Sequence, residues 1–469
     1  MDKTKLSQIE DFARVGSNTR LLGFDKEGNK VGFVPYAALT SKTEWCGCRW
    51  RKSDSNSEGE PIGNLDMLAE LKGVLGLGGY LVQNDHTRQK LASDNHFKLA
   101  NGGTAKLDGT MGHYMWGTGC NLYYATWEDD EYENEAVATS PMPGRWNYKV
   151  PIFSIAASGA SALDRTNNIL VSYCNRTAQY RGGNNNADVD TAWNTQLGKP
   201  VINVAENSLQ RYAEKNGARW GASMYMVVFM VGALMRIVFH NRNIQKSYNA
   251  AKTADGLFQG GLGMGVDNVN GLFNNQYATL DIDALADKGD AMGVFSYDWK
   301  DGDTVKLTIR NIPSFFGLKN FYHYIWLMLH GVNIVYTADG IQVWAIQKWT
   351  GSAVPTNDTT GMRLIGTIPA ASNEGWEFVK RMNLAHMMMF PLEIGGSEIT
   401  YYGDGIYRLN ITSGLRGLLA LGTANNGGNA GSGCLNGNNG PSNAWTNNGA
   451  ALNNIQKETG MSLPQRENI

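Results

Sequence analysis

The chain has 469 residues, with 41 Lys or Arg against 43 Asp or Glu, a net charge of −2 and only 18% charged residues. Such neutrality excludes a nucleic-acid binder, which needs a basic face to displace counterions. The 56 glycines disfavour a helical bundle, and five widely spaced cysteines, an odd number, do not make a disulfide framework.

The length accommodates two or three domains. Residues 1–45 read as a small unit. A helical turn is expected at 7–12, and short apolar segments at 20–24 and 30–34 flank the turn sequence Asp25-Lys26-Glu27-Gly28-Asn29, giving a hairpin closed by Pro35. A hairpin this small needs copies of itself or a partner to be stable. The start has no basic stretch followed by an apolar run, so no signal peptide is expected.

Residues 46–145 read as a glycine-rich, β-rich intermediate region with one helix at 64–72. Cys46 and Cys48 form the only close thiol pair, and no second pair at zinc spacing accompanies them. The acidic run 128–135 fits a calcium loop or, more commonly for such runs, a solvated loop.

Residues 146–469 read as one α+β domain. A strand is expected at 150–155. Asn203 with Glu206 marks a helix start, with Leu209, Tyr212 and Ala213 on its buried face and Gly217 at its end. The apolar run 224–235 is too short for a bilayer crossing of about 20 residues, so it reads as buried and no membrane insertion is expected. Further strands are expected at 304–309, 333–336 and 342–346. His323 and His330, beside an aromatic run, read as satisfied core groups rather than ligands.

The motifs of catalysis are weak. Gly261-Leu262-Gly263-Met264-Gly265 lacks the strand and spacing of a nucleotide loop, as does Gly76-Leu77-Gly78-Gly79, and both read as backbone turns. Glu393 and Glu398 are a carboxylate pair of a kind any long chain offers. No Ser/His/Asp or Cys/His constellation stands out. No enzyme activity, cofactor or metal is expected.

The most informative stretch is 421–455, where eleven of 35 residues are Asn and eight are Gly. Both tolerate left-handed backbone, and such a run is ordinarily a loop or tail. Ala430, Leu435, Trp445, Ala450 and Leu452 interrupt it, which suggests loops pinned onto a fold.

An ordered set of motifs surrounds it. Phe390-Pro391-Leu392-Glu393-Ile394-Gly395-Gly396, Tyr401-Tyr402, Thr412-Ser413-Gly414-Leu415-Arg416, Gly427-Gly428-Asn429-Ala430-Gly431, Leu435-Asn436-Gly437-Asn438-Asn439, Pro441-Ser442-Asn443 and Gly449-Ala450 follow in turn. Upstream lie Leu163-Asp164-Arg165-Thr166-Asn167, Tyr180-Arg181-Gly182-Gly183-Asn184-Asn185, Arg211-Tyr212-Ala213 and Arg242-Asn243-Ile244-Gln245. This order, over roughly 146–455, resembles the variable proteins of diversity-generating retroelements, including tropism-determining members of Bacteroides-type gut phages.

The resemblance implies a C-type-lectin-like (formylglycine-generating-enzyme-like) domain with a variable region at about 420–455. It implies a phage tail-fibre protein, made in the host cytoplasm and carried on the virion. Its partners would be a bacterial surface protein or glycan and, through the N-terminal unit, other tail proteins, in a homotrimer. It also accounts for the Asn: template adenines are copied with errors, and an Asn codon carries two of them. A diversified position must be exposed, so that substitutions cost little, on a rigid backbone. The receptor-binding set expected on this basis is Ala424, Asn425, Asn426, Asn429, Ser432, Asn436, Asn438, Asn443, Trp445 and Asn447. Tyr401, Tyr402 and Tyr407 form its rim. Gly427, Gly428, Gly437 and Gly449 would set backbone geometry, with Leu435, Ala450 and Leu452 as anchors. Alternatives are a bacterial surface-displayed variable binding protein, or a structural virion protein without receptor binding. An oxidase of the related fold would need a thiol pair, and Cys434 has no partner nearby in sequence.

Overall fold

The computed structural model describes residues 20–24, 31–35, 44–248, 280–346, 356–445 and 447–456. The expected turn at 7–12 and the Gly261–Gly265 run lie outside them. The described chain is mainly strand, with few helices. The N-terminal hairpin pairs Arg20–Phe24 antiparallel with Val31–Pro35, Arg20 opposite Pro35.

The boundary expected at residue 146 does not separate two units. One six-stranded sheet runs Trp220–Ala222, Leu452–Ile455, Phe153–Ala156, His113–Gly117, Gly78–Val82, Arg88–Lys90. Phe153–Ala156 is thus flanked by a strand from each side of that boundary. A buried polar cluster adds a second tie: Asp290 Oδ1 accepts the Gly79 amide at 2.9 Å and meets His96 Nε2 at 2.9 Å. Pro151 is the reason the strand expected at 150–155 splits. It donates no backbone hydrogen bond, so Tyr148–Val150 ends in a five-stranded sheet and Phe153–Ala156 starts in the six-stranded one.

The apolar run becomes the helix Tyr225–Phe239, buried from Tyr225 through Ile237. It has no polar stripe because protein surrounds it: Phe229 meets Tyr124 edge-on at 5.3 Å, and Tyr225 Oη donates to Ile346 O at 2.7 Å. Fifteen residues span about 22 Å. Among the described residues no helix is long and apolar enough to cross a membrane, which says nothing of spans made of strands.

The acidic run is half solvated turn and half buried strand: residues 128–131 are exposed, whereas residues 132–135 are buried. It closes a hairpin between Leu122–Glu128 and Tyr132–Ala138, and the second strand is buried throughout. Glu133 and Glu135, two apart and so on one face, meet arginines. Glu135 takes Arg236 from the central helix through Nε (3.0 Å) and Nη2 (2.7 Å), and Glu133 takes Arg381 Nε at 2.8 Å.

The helix expected at 203 starts later. Ala205 is its N-cap and Glu206–Glu214 its body, with Leu209 and Ala213 buried. Asn203 instead adopts φ +60° and donates its amide to Trp445 O at 3.0 Å. The helix expected at 64–72 is two short ones, Leu65–Ala69 and Leu71–Leu75, with Asn64 capping the first through Met67 N. Gly76 closes the second in the left-handed region, which explains its place in the Gly76–Gly79 run. Both histidines named above are buried, and desolvation pushes each down to about 4, so both are neutral. His330 bonds the carbonyls of Ala222 and Glu206. All five cysteines are free. Among the described residues no group of three or more His, Cys, Asp or Glu side chains converges as a metal site.

Candidate ligand-binding surface

The Asn-rich segment contributes Leu452–Ile455 to the six-stranded sheet and two short strands to a seven-stranded sheet ordered Phe390–Ile394, Gly375–Asn383, Gly405–Arg408, Leu435–Asn436, Leu419–Ala420, Trp326–Met328, Asn448–Gly449. Burial divides it into three parts.

The first part, 421–435, is turned inward. Ala424 is fully buried, which corrects its place in the receptor-binding set: a methyl group in the core displays nothing. Thr423 opens the tight turn Ala424–Asn429 with a reciprocal cap, its amide donating to Asn426 Oδ1 at 2.7 Å. The Asn426 side chain is therefore committed to its own backbone, and only half exposed. Gly427 has φ +54°, and its carbonyl takes Gln245 Nε2 at 3.0 Å. Ser432 Oγ takes Arg236 Nη1 at 3.3 Å. Asp404 Oδ2 accepts the Gly433 amide at 2.8 Å, and burial pushes the Asp404 carboxyl up to about 8. A Cβ at Gly431 or Gly433 would collide with that carboxylate, so the glycines here make room for an anchor.

The second part, 436–447, reaches the surface: Ser442, Ala444 and Trp445 are exposed, while Asn436, Gly437, Asn439 and Pro441 stay buried beneath them. Trp445 is 54% exposed, the highest exposure in the segment among large apolar side chains. Its indole Nε1 donates to Asn439 Oδ1 at 3.0 Å, and Asn443 Nδ2 donates to the same oxygen at 3.2 Å. Asn438, Asn443 and Asn447 are half-buried, while Asn436 is nearly buried and holds the Asn438 amide at 3.0 Å. The backbone beneath is fixed: Asn207 N donates to Pro441 O at 3.3 Å, Gly417 N to Asn439 O at 2.9 Å and Trp326 N to Asn447 O at 2.9 Å.

The third part, from Asn448 on, is core. Leu452–Ile455 is an interior strand, and Asn453 and Asn454 are fully buried. Asn453 Oδ1 accepts the Met224 amide at the head of the central helix. The anchors Leu435, Ala450 and Leu452 are buried as expected.

The three rim tyrosines part company. Tyr407 lies opposite Asn436 in the sheet, half-buried, its hydroxyl donating to Glu374 at 2.9 Å. Tyr402 is buried, which corrects its rim assignment, and Tyr401 packs with it around the Arg242 guanidinium, at 5.2 and 5.8 Å. Beside Tyr407 stands Trp376, which the sequence reading missed. It meets Tyr407 edge-on at 5.6 Å and stacks on the buried Trp326 at 6.2 Å. The signal was weak because Trp376 pairs with Tyr407 only across strands 31 residues apart. Asn439 was missed too. Its orienting role depends on the turn that brings Asn443 and Trp445 back onto it.

No residue from 421 to 455 carries a charge. The surface offers amides and an exposed aromatic plane, means of binding rather than of proton transfer. Glu393, weighed above as half of an acid pair, is tied by Lys380 at 3.2 Å, which holds its carboxyl below the ordinary range. No protein-family model matches the chain, and no curated protein sequence matches it.

Proposed function

We propose that the protein is a phage tail-fibre receptor-binding protein with a C-type-lectin-like domain. It binds a bacterial surface glycan or protein through the outward part of the Asn-rich segment. Trp445 carries the reading: it is an exposed aromatic, oriented by Asn439, on an uncharged loop whose backbone is held from below. Rigid aromatics flanked by adaptable amides are the composition of antibody-like contact surfaces. The binding set is accordingly Asn438, Asn443, Trp445 and Asn447, with Tyr407 and Trp376 at its border. Diversification by adenine mutagenesis would be tolerated at Asn438, Asn443 and Asn447 and selected against at Ala424, Asn439, Asn453 and Asn454, which are buried. The assembly is a homotrimer attached to the virion through the N-terminal hairpin, and several copies per virion multiply modest single-site affinity. No turnover is part of the reading: the Cys434 thiol is sealed in the core and burial pushes it well above its ordinary range.

Trp445→Ala tests the reading. Adsorption of the purified protein to a panel of Bacteroides cells falls at least about tenfold, the loss expected for a hot-spot aromatic, while thermal unfolding is unchanged. Undiminished adsorption to every strain bound by the parent protein would remove this surface from the reading. A structural virion protein is the second reading, favoured by the burial of most of 421–437 and 448–455. It predicts no adsorption by either protein.

A further inference from the structure

A second recess stands apart from the Asn-rich loop. It holds about 310 Å³ and lies where the acidic hairpin meets the strands Gly375–Asn383 and Phe390–Ile394. That volume is at the small end for ligand pockets and fits one saccharide unit rather than a chain. Four cations line it, Lys52, Arg242, Lys380 and Arg381, against three carboxylates, leaving one net positive charge.

The ions form a graded network. Arg381 is its hub, bonding Glu128 at 2.7 Å through Nη2 and Glu133 at 2.8 Å through Nε. The outer pairs, Lys52–Glu128 at 2.9 Å and Lys380–Glu393 at 3.2 Å, have side chains 32–46% exposed. Pairs so exposed are held weakly and can exchange partners. The inner cation is different. Arg242 is 2% exposed, and its buried Nε has no hydrogen-bond partner among the described residues. Arg242 Nη1 donates to Glu133 at 3.4 Å and Nη2 to Asn56 O at 3.1 Å, so Arg242 backs the recess as a fixed positive charge while the outer lysines stay free to turn to a ligand. Tyr401 completes the wall. It sits at φ +55°, a region that aromatic residues avoid, fixed by its amide on Ser55 O at 2.7 Å.

We infer that this pocket binds a single acidic sugar unit, a hexuronic or sialic-type monosaccharide carrying one carboxylate. The ligand carboxylate takes the net positive charge at Lys380 and Lys52. Its hydroxyls donate to Glu128 and Glu393, and its apolar ring face lies on Tyr401. The site is independent of the proposed receptor surface, since it shares no residue with 438–447.

Calorimetric titration of the full-length protein with sodium glucuronate, glucose and sodium acetate at constant ionic strength tests it. Glucuronate binds with a Kd near about 1 mM and at least about tenfold more tightly than glucose, which lacks the charge, or acetate, which lacks the hydroxyls. Lys380→Gln and Tyr401→Ala each weaken glucuronate at least about fivefold without shifting thermal unfolding, whereas Trp445→Ala leaves it unchanged. Absence of saturable glucuronate binding, equal binding of acetate, or indifference to both pocket variants would overturn the proposal.

Discussion

At the scale of single residues, burial decides which side chains act and which are spent on the fold. Glu206 is the sharpest case. Its carboxyl is buried at the start of the helix Glu206–Glu214, Oε2 has no hydrogen-bond partner among the described residues, and desolvation raises its pKa to about 8. The folded protein therefore keeps a proton that the unfolded chain releases above the ordinary value of 4.5. The stability this confers is complete below that value and is lost as pH rises through about 8. Glu206→Gln removes the titration. Relative to the parent, the variant gains stability steadily from about pH 5 to about pH 8 in urea denaturation, and a pH-independent difference would refute the assignment. Glu206 was legible in the sequence as a first-turn residue, but its burial was not, because the loop 436–447 that covers this region arrives from more than 200 residues away. Ala424 failed for the same reason. Its neighbours are Asn and Gly, so composition placed it at the surface, whereas the cap from Thr423 and the carbonyl of Tyr324 turn it inward.

At the scale of elements, the central helix and the acidic strand hold each other. Arg236 would be an uncompensated charge in an otherwise apolar helix, but Glu135 meets it with two hydrogen bonds and is itself bonded by Tyr124 Oη at 2.9 Å. Breaking such a pair from one side strands the other charge and costs about 3–5 kcal/mol. Glu135→Gln and Arg236→Met should each show that loss in chemical denaturation, with the double variant recovering at least half of it. Purely additive losses would mean the pair is not coupled. The burial of the run 224–235 was legible, but whether it forms helix or strand was not, since an unbroken apolar run has no period; the strands at 304–309, 333–336 and 342–346 were found with short ends. The acidic strand was not. Local sequence shows a cluster of carboxylates, which resembles a loop, and the arginines that make it a buried strand come from positions 101 to 248 residues distant.

At the scale of the whole molecule, the last described strand closes the structure. Leu452–Ile455 fills the gap between Phe153–Ala156 and Trp220–Ala222, and Asn453 receives the first amide of the central helix. Truncation after residue 447 should abolish the cooperative thermal transition, while Asn443→Ala keeps it. A truncated protein that still melts sharply would show the strand to be dispensable. The closure also explains why the sequence suggested separate regions where the structure has a shared sheet. Domain boundaries are read from changes in composition, and a strand that returns from the far end of the chain leaves no such change.

Both ends of the outward loop are held by strand pairing, Leu435–Asn436 between two neighbours and Asn448–Gly449 at the edge of the sheet. Leu435–Asn436 runs parallel beside Gly405–Arg408, and Asn448–Gly449 runs parallel beside Trp326–Met328. Parallel neighbours cannot be joined by a tight turn, so neither end relies on the loop for its position. The stretch between them is therefore a place for exchanging side chains rather than backbone: Ser442, Ala444 and Trp445 can be replaced freely, provided the carbonyls of Asn439, Pro441, Trp445 and Asn447 still meet Gly417, Asn207, Asn203 and Trp326.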